Sequence, residues 1–197
     1  MEVLRARVAD DVPAAEGDID VLAQEVTRLD RVVNTFLDLS RPAVLDRQVL
    51  RISDLISQIL TLVGPEAAHA GVILEWTPVE GVAVSADGDL LRQAFLNVVR
   101  NALDAMPGGG RLRVTVARNG DTCEICVSDT GRGIPIEVRE RIFEPYFSTK
   151  EGGSGIGLAL TMRAMQMHGG SIDVESAPEQ GTKFCLRLPA IPAELAL

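Results

Sequence analysis

The stretch Asp87-Gly88-Asp89-Leu90-Leu91-Arg92-Gln93-Ala94-Phe95-Leu96-Asn97-Val98-Val99-Arg100-Asn101-Ala102-Leu103-Asp104 carries two patterns at once. Leu90, Leu91, Ala94, Phe95, Val98, Val99 and Leu103 recur at helical spacing, with Asp87 placed to cap the first turn and Pro107-Gly108-Gly109-Gly110 to end the run. Asn97, Asn101 and Asp104 are separated by 4 and 3 residues, so they share a second face that the apolar residues do not occupy. Three polar side chains on such a face need partners or a ligand.

The flanks set the layers around this helix. Upstream, residues 49–52 read as a short strand and Ser53 as an N-cap. Leu55, Ile56, Ile59, Leu60 and Val63 then form a helical face that should stop before Gly64-Pro65, and strand-like runs follow at 72–76 and 82–85. Downstream, 112–117 and 122–128 form a hairpin with Asn119-Gly120 at its tip. A loop-rich region covers 129–155, a further helix about 155–168, and 171–175 with 182–188 make a second hairpin. Helices grouped with antiparallel pairs indicate an α/β two-layer sandwich rather than an alternating parallel fold.

Ahead of this region, Ile19, Leu22, Val26, Leu29, Val33 and Phe36 follow a heptad spacing on a helix that should end near Ser40-Arg41-Pro42. Residues 1–9 look like the tail of a preceding helix, and 11–17 like the turn between them. The expected organisation is a truncated helical hairpin over 1–44, needing further helices to cover its seam, and a globular domain over 45–197.

Composition narrows the function classes. The chain has 197 residues, 46% apolar and 24% charged, which describes a folded globular protein. Its net charge of −9 repels nucleic acid and anionic membranes, so an anionic ligand must be held by local groups. No apolar run reaches the roughly 20 residues of a membrane span, and the N-terminus lacks a secretory core, giving the expectation of a cytoplasmic fragment without direct membrane contact. Cys123, Cys126 and Cys185 are few and odd in number, which favours a reducing compartment and core cysteines. Strand alternation sends Cys123 and Cys126 to opposite faces, against a redox or zinc pair.

No Walker A loop and no Rossmann fingerprint is present. Asp129, however, ends an apolar strand just before Gly131 and Gly133, which puts a carboxylate acceptor where backbone can come close. The 137–153 connection is long enough to be a lid, with Phe143 and Phe147 to pin it and Lys150 as a compact positive charge. Gly153 and Gly155 lead into a helix whose free amides favour an anion. Arg100 and Arg132 are solvated or minor helpers.

In this order the segments resemble the ATP-binding catalytic domain of sensor histidine kinases, in the gyrase, Hsp90, histidine kinase and MutL ATPase superfamily. Residues 93–105 resemble its N box, and Asp129-Thr130-Gly131-Arg132-Gly133-Ile134 its first glycine box. Phe143-Glu144-Pro145-Tyr146-Phe147-Ser148-Thr149-Lys150 resembles the F box, and Gly153-Ser154-Gly155-Ile156-Gly157-Leu158 the second glycine box. Gly181-Thr182-Lys183-Phe184 is similar to the terminal strand motif, and 25–42 looks like the second helix of the dimerisation and phosphoacceptor domain.

The resemblance implies a Bergerat-type mixed sheet covered by helices, with ATP and Mg2+ as cofactors. It implies Asn101 as the metal ligand, and Asn97 and Lys150 as catalytic and phosphate-binding. Asp104 is a weaker member of that site, and Asp129 reads adenine. Gly131, Gly133, Ile134, Gly153, Ser154, Gly155, Ile156, Gly157, Leu158 and Thr182 complete the nucleotide site. An Asp129 carboxylate would favour adenine over guanine by about 1–3 kcal/mol, because guanine presents an acceptor where adenine has an amino group.

ATP-hydrolysing members of the superfamily place a carboxylate where Asn97 stands, and an amide does not take a proton from water near neutral pH. The acceptor is then a histidine on a bundle helix. Neither His69 nor His168 fits that motif, so the chain is expected to be a fragment that binds Mg·ATP and does not phosphorylate itself. Expected partners are a histidine-containing bundle helix, a response regulator receiver domain and a second copy through the hairpin. The alternatives are an ATP-hydrolysing conformational switch and a nucleotide-free dimerisation module.

Overall fold

In the computed structural model the described residues are 45–150 and 153–191, so the helical hairpin expected over 1–44 lies outside them. Contacts set Val44–Leu197 apart from the residues before it. The chain order is β1 (Gln48–Arg51), α1 (Ile52–His69), β2 (Val72–Trp76), β3 (Ala83–Ala86), α2 (Gly88–Asp104), β4 (Gly110–Asn119) and β5 (Thr122–Asp129). Then come α3 (Ile136–Arg139), α4 (Gly157–Met167), β6 (Ser171–Ser176) and β7 (Thr182–Pro189).

Five strands form one sheet in the order β2-β4-β5-β7-β6, and β1 pairs with β3 in a separate two-stranded sheet. The β2–β4 pair is parallel and the others in the large sheet are antiparallel, so the sheet is mixed, as expected. One face carries Leu112, Val114, Cys123, Ile125, Val127, Phe184, Leu186 and Leu188, all buried against the helices. The other face is a solvated ladder of ion pairs, among them Arg113–Glu75 at 2.7 Å and Arg187–Glu124 at 2.7 Å. The α/β two-layer reading therefore holds.

Helix α1 departs from expectation at both ends. It begins directly from β1, with Arg51 at the cap position, and the Ile52 N–H donates to Val82 O at 3.1 Å. Ser53 is not the cap: its hydroxyl donates to Val79 O and accepts from Val79 N. The helix also runs through Gly64-Pro65 to His69. Proline forfeits one ladder bond, but Val63 and Ala67, four residues apart on the core side, are each 1% exposed, and their burial carries the helix past it.

The β4–β5 hairpin pairs Asn119 with Thr122, so its loop is Gly120-Asp121, one residue later than Asn119-Gly120. Gly120 takes the left-handed conformation (φ 62°) that the first loop position of a tight hairpin demands.

The cysteine expectation is corrected in part. Cys123 is a buried core thiol, and burial pushes it up to about 12. Cys126 and Cys185 instead face each other across β5 and β7, with Cα atoms 4.2 Å apart, and form a disulfide. That spacing is the closer type of antiparallel pair, which brings side chains together. The bridge buries both residues on the otherwise polar face of the sheet, interrupting the alternation of both strands. Chain denatured without reductant should take up an alkylating reagent at one cysteine, Cys123, and at three after reduction, as counted by intact mass.

Candidate functional site

A cavity of about 600 Å3 opens between α2, the ends of β5 and β7, the 130–150 connection and the start of α4. Among the sequence-derived residues, Asn97, Asn101, Asp104, Asp129, Gly133, Ile134, Lys150, Gly153, Ser154, Gly155, Ile156, Gly157, Leu158 and Thr182 all line it. Gly131 does not. A Cβ there would sit 2.5 Å from Ala105 O, and a Cβ on Gly133, at φ 69°, would meet the Ala177 carbonyl. Both glycines let backbone pack closely on backbone, and Gly133 lines the cavity as well.

The floor is Asp129, only 8% exposed. Its Oδ1 accepts from Gly131 N at 2.8 Å and from Thr182 N at 3.2 Å. Burial pushes its carboxyl above the ordinary range, and those two N–H donors pull the other way. Beside it, Ser176 Oγ accepts from Ile134 N at 2.8 Å and lies 2.9 Å from Thr182 Oγ1, which ties β6, β7 and the glycine turn into one wall.

At the other end, α2 presents its polar face. Lys150 Nζ donates to Asn101 Oδ1 at 2.9 Å and to Asp104 Oδ2 at 2.7 Å. An ammonium thus already sits on the two oxygens, near the helix C-terminus where cations are favoured, so the donor set fits a hard cation such as Mg2+. Asn97 Nδ2 donates to Gly157 O at 3.0 Å, joining α2 to the first residue of α4. No side chain caps α4, and its approach, 153–158, faces the cavity as an anion site would. Arg100 and Arg132 also reach the lining.

Within the expected lid, residues 136–150 hold more regular structure than their composition suggests. They contain α3 and consecutive turns, Phe143 meets Phe184 edge-to-face at 6.5 Å, and the Arg141 guanidinium lies over the Phe147 ring at 4.3 Å. Their buried anchor is Ile142, 9% exposed, which sequence reasoning missed because it stands beside Phe143 in a segment whose apolar residues follow no helical or strand period. Pro178 and Glu179, on the β6–β7 turn, line the cavity as well, and their only sequence signal was turn composition.

Asp129→Asn should keep both backbone N–H bonds through its amide oxygen while removing a buried charge. The empty protein should be as stable or about 1 kcal/mol more so in urea melts. The wild-type carboxyl titrates above its unfolded value, so the unfolded chain loses its proton first. Stability should fall as pH rises between the ordinary carboxylate value and the raised one, and the variant should lose that slope.

The model of the histidine kinase-, DNA gyrase B- and HSP90-like ATPase family matches residues 86–192, more than half of the chain. The sensor histidine kinase ZraS of Klebsiella oxytoca is 40% identical over 171 residues, covering 86% of this chain and 37% of its own length. Two solved structures align at a TM-score of 0.76 with 26% identity. One is full-length ShkA in complex with AMPPNP, over 91% of this chain and 39% of that one. The other is the histidine kinase ThkA in complex with the response regulator protein TrrA, over 96% and 56%. The chain spans about two fifths of the length of the curated relatives it matches. The residues these matches cover include the floor, the α2 face and the start of α4, and the chain belongs to the histidine kinase-, DNA gyrase B- and HSP90-like ATPase family.

Proposed function

We propose that residues 45–197 form a catalytic domain that binds Mg·ATP and passes the γ-phosphoryl group to a histidine on a separate helical bundle, with 1–44 contributing part of that bundle. The observation that carries this reading is the two-ended cavity. A buried carboxylate closes one end, and amides, a lysine and an uncapped helix start form the other.

Asp129 accepts a hydrogen bond from the adenine amino group through Oδ2, which has no protein partner among the described residues. Asn101 would hold a magnesium ion through its amide oxygen, and the ion would supply charge neutralisation at the phosphates. Lys150 leaves Asp104 for the γ-phosphate, an exchange made easy by the exposure of that pair. Asn97 orients the first turn of α4 and, as an amide, does not activate water, so transfer to a side chain is favoured over hydrolysis. The acceptor imidazole gains the phosphorus–nitrogen bond as the bond to the bridging oxygen of ADP breaks.

The ThkA complex with the response regulator protein TrrA extends the reading to a response regulator as the downstream partner, and the heptad spacing of Ile19 to Phe36 supports pairing of two copies through the hairpin. No described helix is long and apolar enough to cross a membrane. A cytoplasmic location follows from the need for ATP, since the disulfide removes the cysteine argument for it.

Calorimetry should show binding of ATP that strengthens with Mg2+ and is at least tenfold weaker for GTP. Asn101→Ala should abolish the Mg2+ effect. A histidine-containing bundle added in trans should become labelled from ATP, and ATP bound without any label transfer would refute the kinase assignment.

A further inference from the structure

Helices α2 and α4 run antiparallel, pinned at both ends. At the cavity end Asn97 Nδ2 donates to Gly157 O, and Thr161 Oγ1 donates to Gly157 O at 2.9 Å and to Ala94 O at 3.4 Å. At the far end Asp87, the N-cap of α2, meets His168, the C-cap residue just past α4. His168, 2% exposed, accepts from Asp87 N through Nε2 at 2.9 Å. Its Nδ1 lies 2.7 Å from Ala164 O, which can only accept, so Nδ1 carries the proton and the ring is held as one tautomer.

The chain entering the domain is clipped onto this far joint. Asp87 caps α2 with Oδ1, through Asp89 N and Leu90 N, while its Oδ2 accepts from Asp46 N at 3.3 Å. Arg47 forks, donating from one terminal nitrogen to Ser85 O at 3.1 Å and from the other to Met167 O at 3.2 Å. Met167 is the last residue of α4, so this guanidinium also complements the negative end of that helix. One exposed side chain thus holds the α4 C-terminus beside the residues that lead into α2.

The two helices differ from the floor in what they contribute. Asn101 and Asp104 come from α2, the anion-facing amides from α4, and Asp129 from the sheet. A shift of α4 along α2 changes the gap between the amides and Asn101 and leaves the carboxylate in place. An 11-residue helix is about 16 Å long, so α4 joins His168 at the far end directly to Gly157 at the cavity end.

We propose that Arg47 and His168 are positioning residues for the polyphosphate end of the nucleotide. They act through the α2–α4 register, and segment 45–47 couples whatever precedes it to phosphate and metal binding. The inference rests on the nucleotide reading above. Neither residue lines the cavity.

The test compares adenosine, which needs only the floor, with Mg·ATP, which needs both ends, on the full chain by calorimetry or ligand-observed magnetic resonance. Arg47→Ala and His168→Ala should each weaken Mg·ATP about tenfold, the scale of one charge-assisted contact, with adenosine affinity within about twofold of the parent. Equal losses for both ligands would reduce the two residues to general stability, and no loss for Mg·ATP would remove the coupling. Either outcome overturns the inference. Arg47 is exposed, so Arg47→Ala decides the matter alone if His168→Ala does not fold. A parent chain that binds no Mg·ATP overturns the nucleotide reading itself, whereas a parent that binds and variants that match it overturn only this inference.

Discussion

A carboxylate buried at the end of a central strand is the constraint around which the rest is arranged. Desolvation disfavours its charge, and the fold answers with two backbone donors, Gly131 N and Thr182 N, both on Oδ1. Those donors belong to the glycine turn after β5 and to the first residue of β7. Asp129 therefore fixes how the turn leaves the sheet and where its neighbouring strand begins. The turn is fixed again on the helix layer, because Arg132 N donates to Ala105 O just past the end of α2. One acidic side chain thereby sets the floor of the cavity and its distance from the polar face of α2.

The proposed reading asks a chain of net charge −9 to hold an anion. The field of the whole molecule is unfavourable, so positive potential has to be gathered from Lys150, Arg100, Arg132 and an uncapped helix start. Lys150 rests on Asp104 and Asn101. An ion pair with Asp104 half exposed contributes little to stability, so the lysine can exchange partners at small cost. The same contact offsets the charge of Asp104, which on the proposed reading would otherwise repel phosphate.

The elements written in local pattern were legible. Helix α2 follows from seven apolar positions, an aspartate cap and a proline-glycine stop, and both antiparallel hairpins follow from alternation and turn residues. What escaped depends on contacts distant in sequence. The helix crossing Gly64-Pro65 is held by the burial of Val63 and Ala67, and Ser53 was diverted from capping by Val79, 26 residues away. The Cys126–Cys185 bridge needs the β5–β7 register, which spacing alone cannot supply. In the site, the α2 face and Asp129 were readable because each puts polar residues where periodicity demands apolar ones. Ile142, Pro178 and Glu179 break no pattern and were invisible for that reason.

The glycines show why a correct motif can carry an incomplete mechanism. Gly131, Gly133 and Gly155 would each drive a Cβ into protein backbone, the last against Tyr146 and Phe147 at the base of the lid. Gly157 is different: a Cβ there meets only Asn97 at ordinary contact distance. The first three are needed for close packing of the floor, the turn and residues 146–147, and of them Gly133 and Gly155 also line the cavity. On the proposed reading, selectivity lies with side chains that face the cavity, Asp129 at one end and Asn101 with Lys150 at the other. Because the first sits on the sheet and the others on helices and lid, binding at the two ends can be tuned separately by whatever moves one layer over the other.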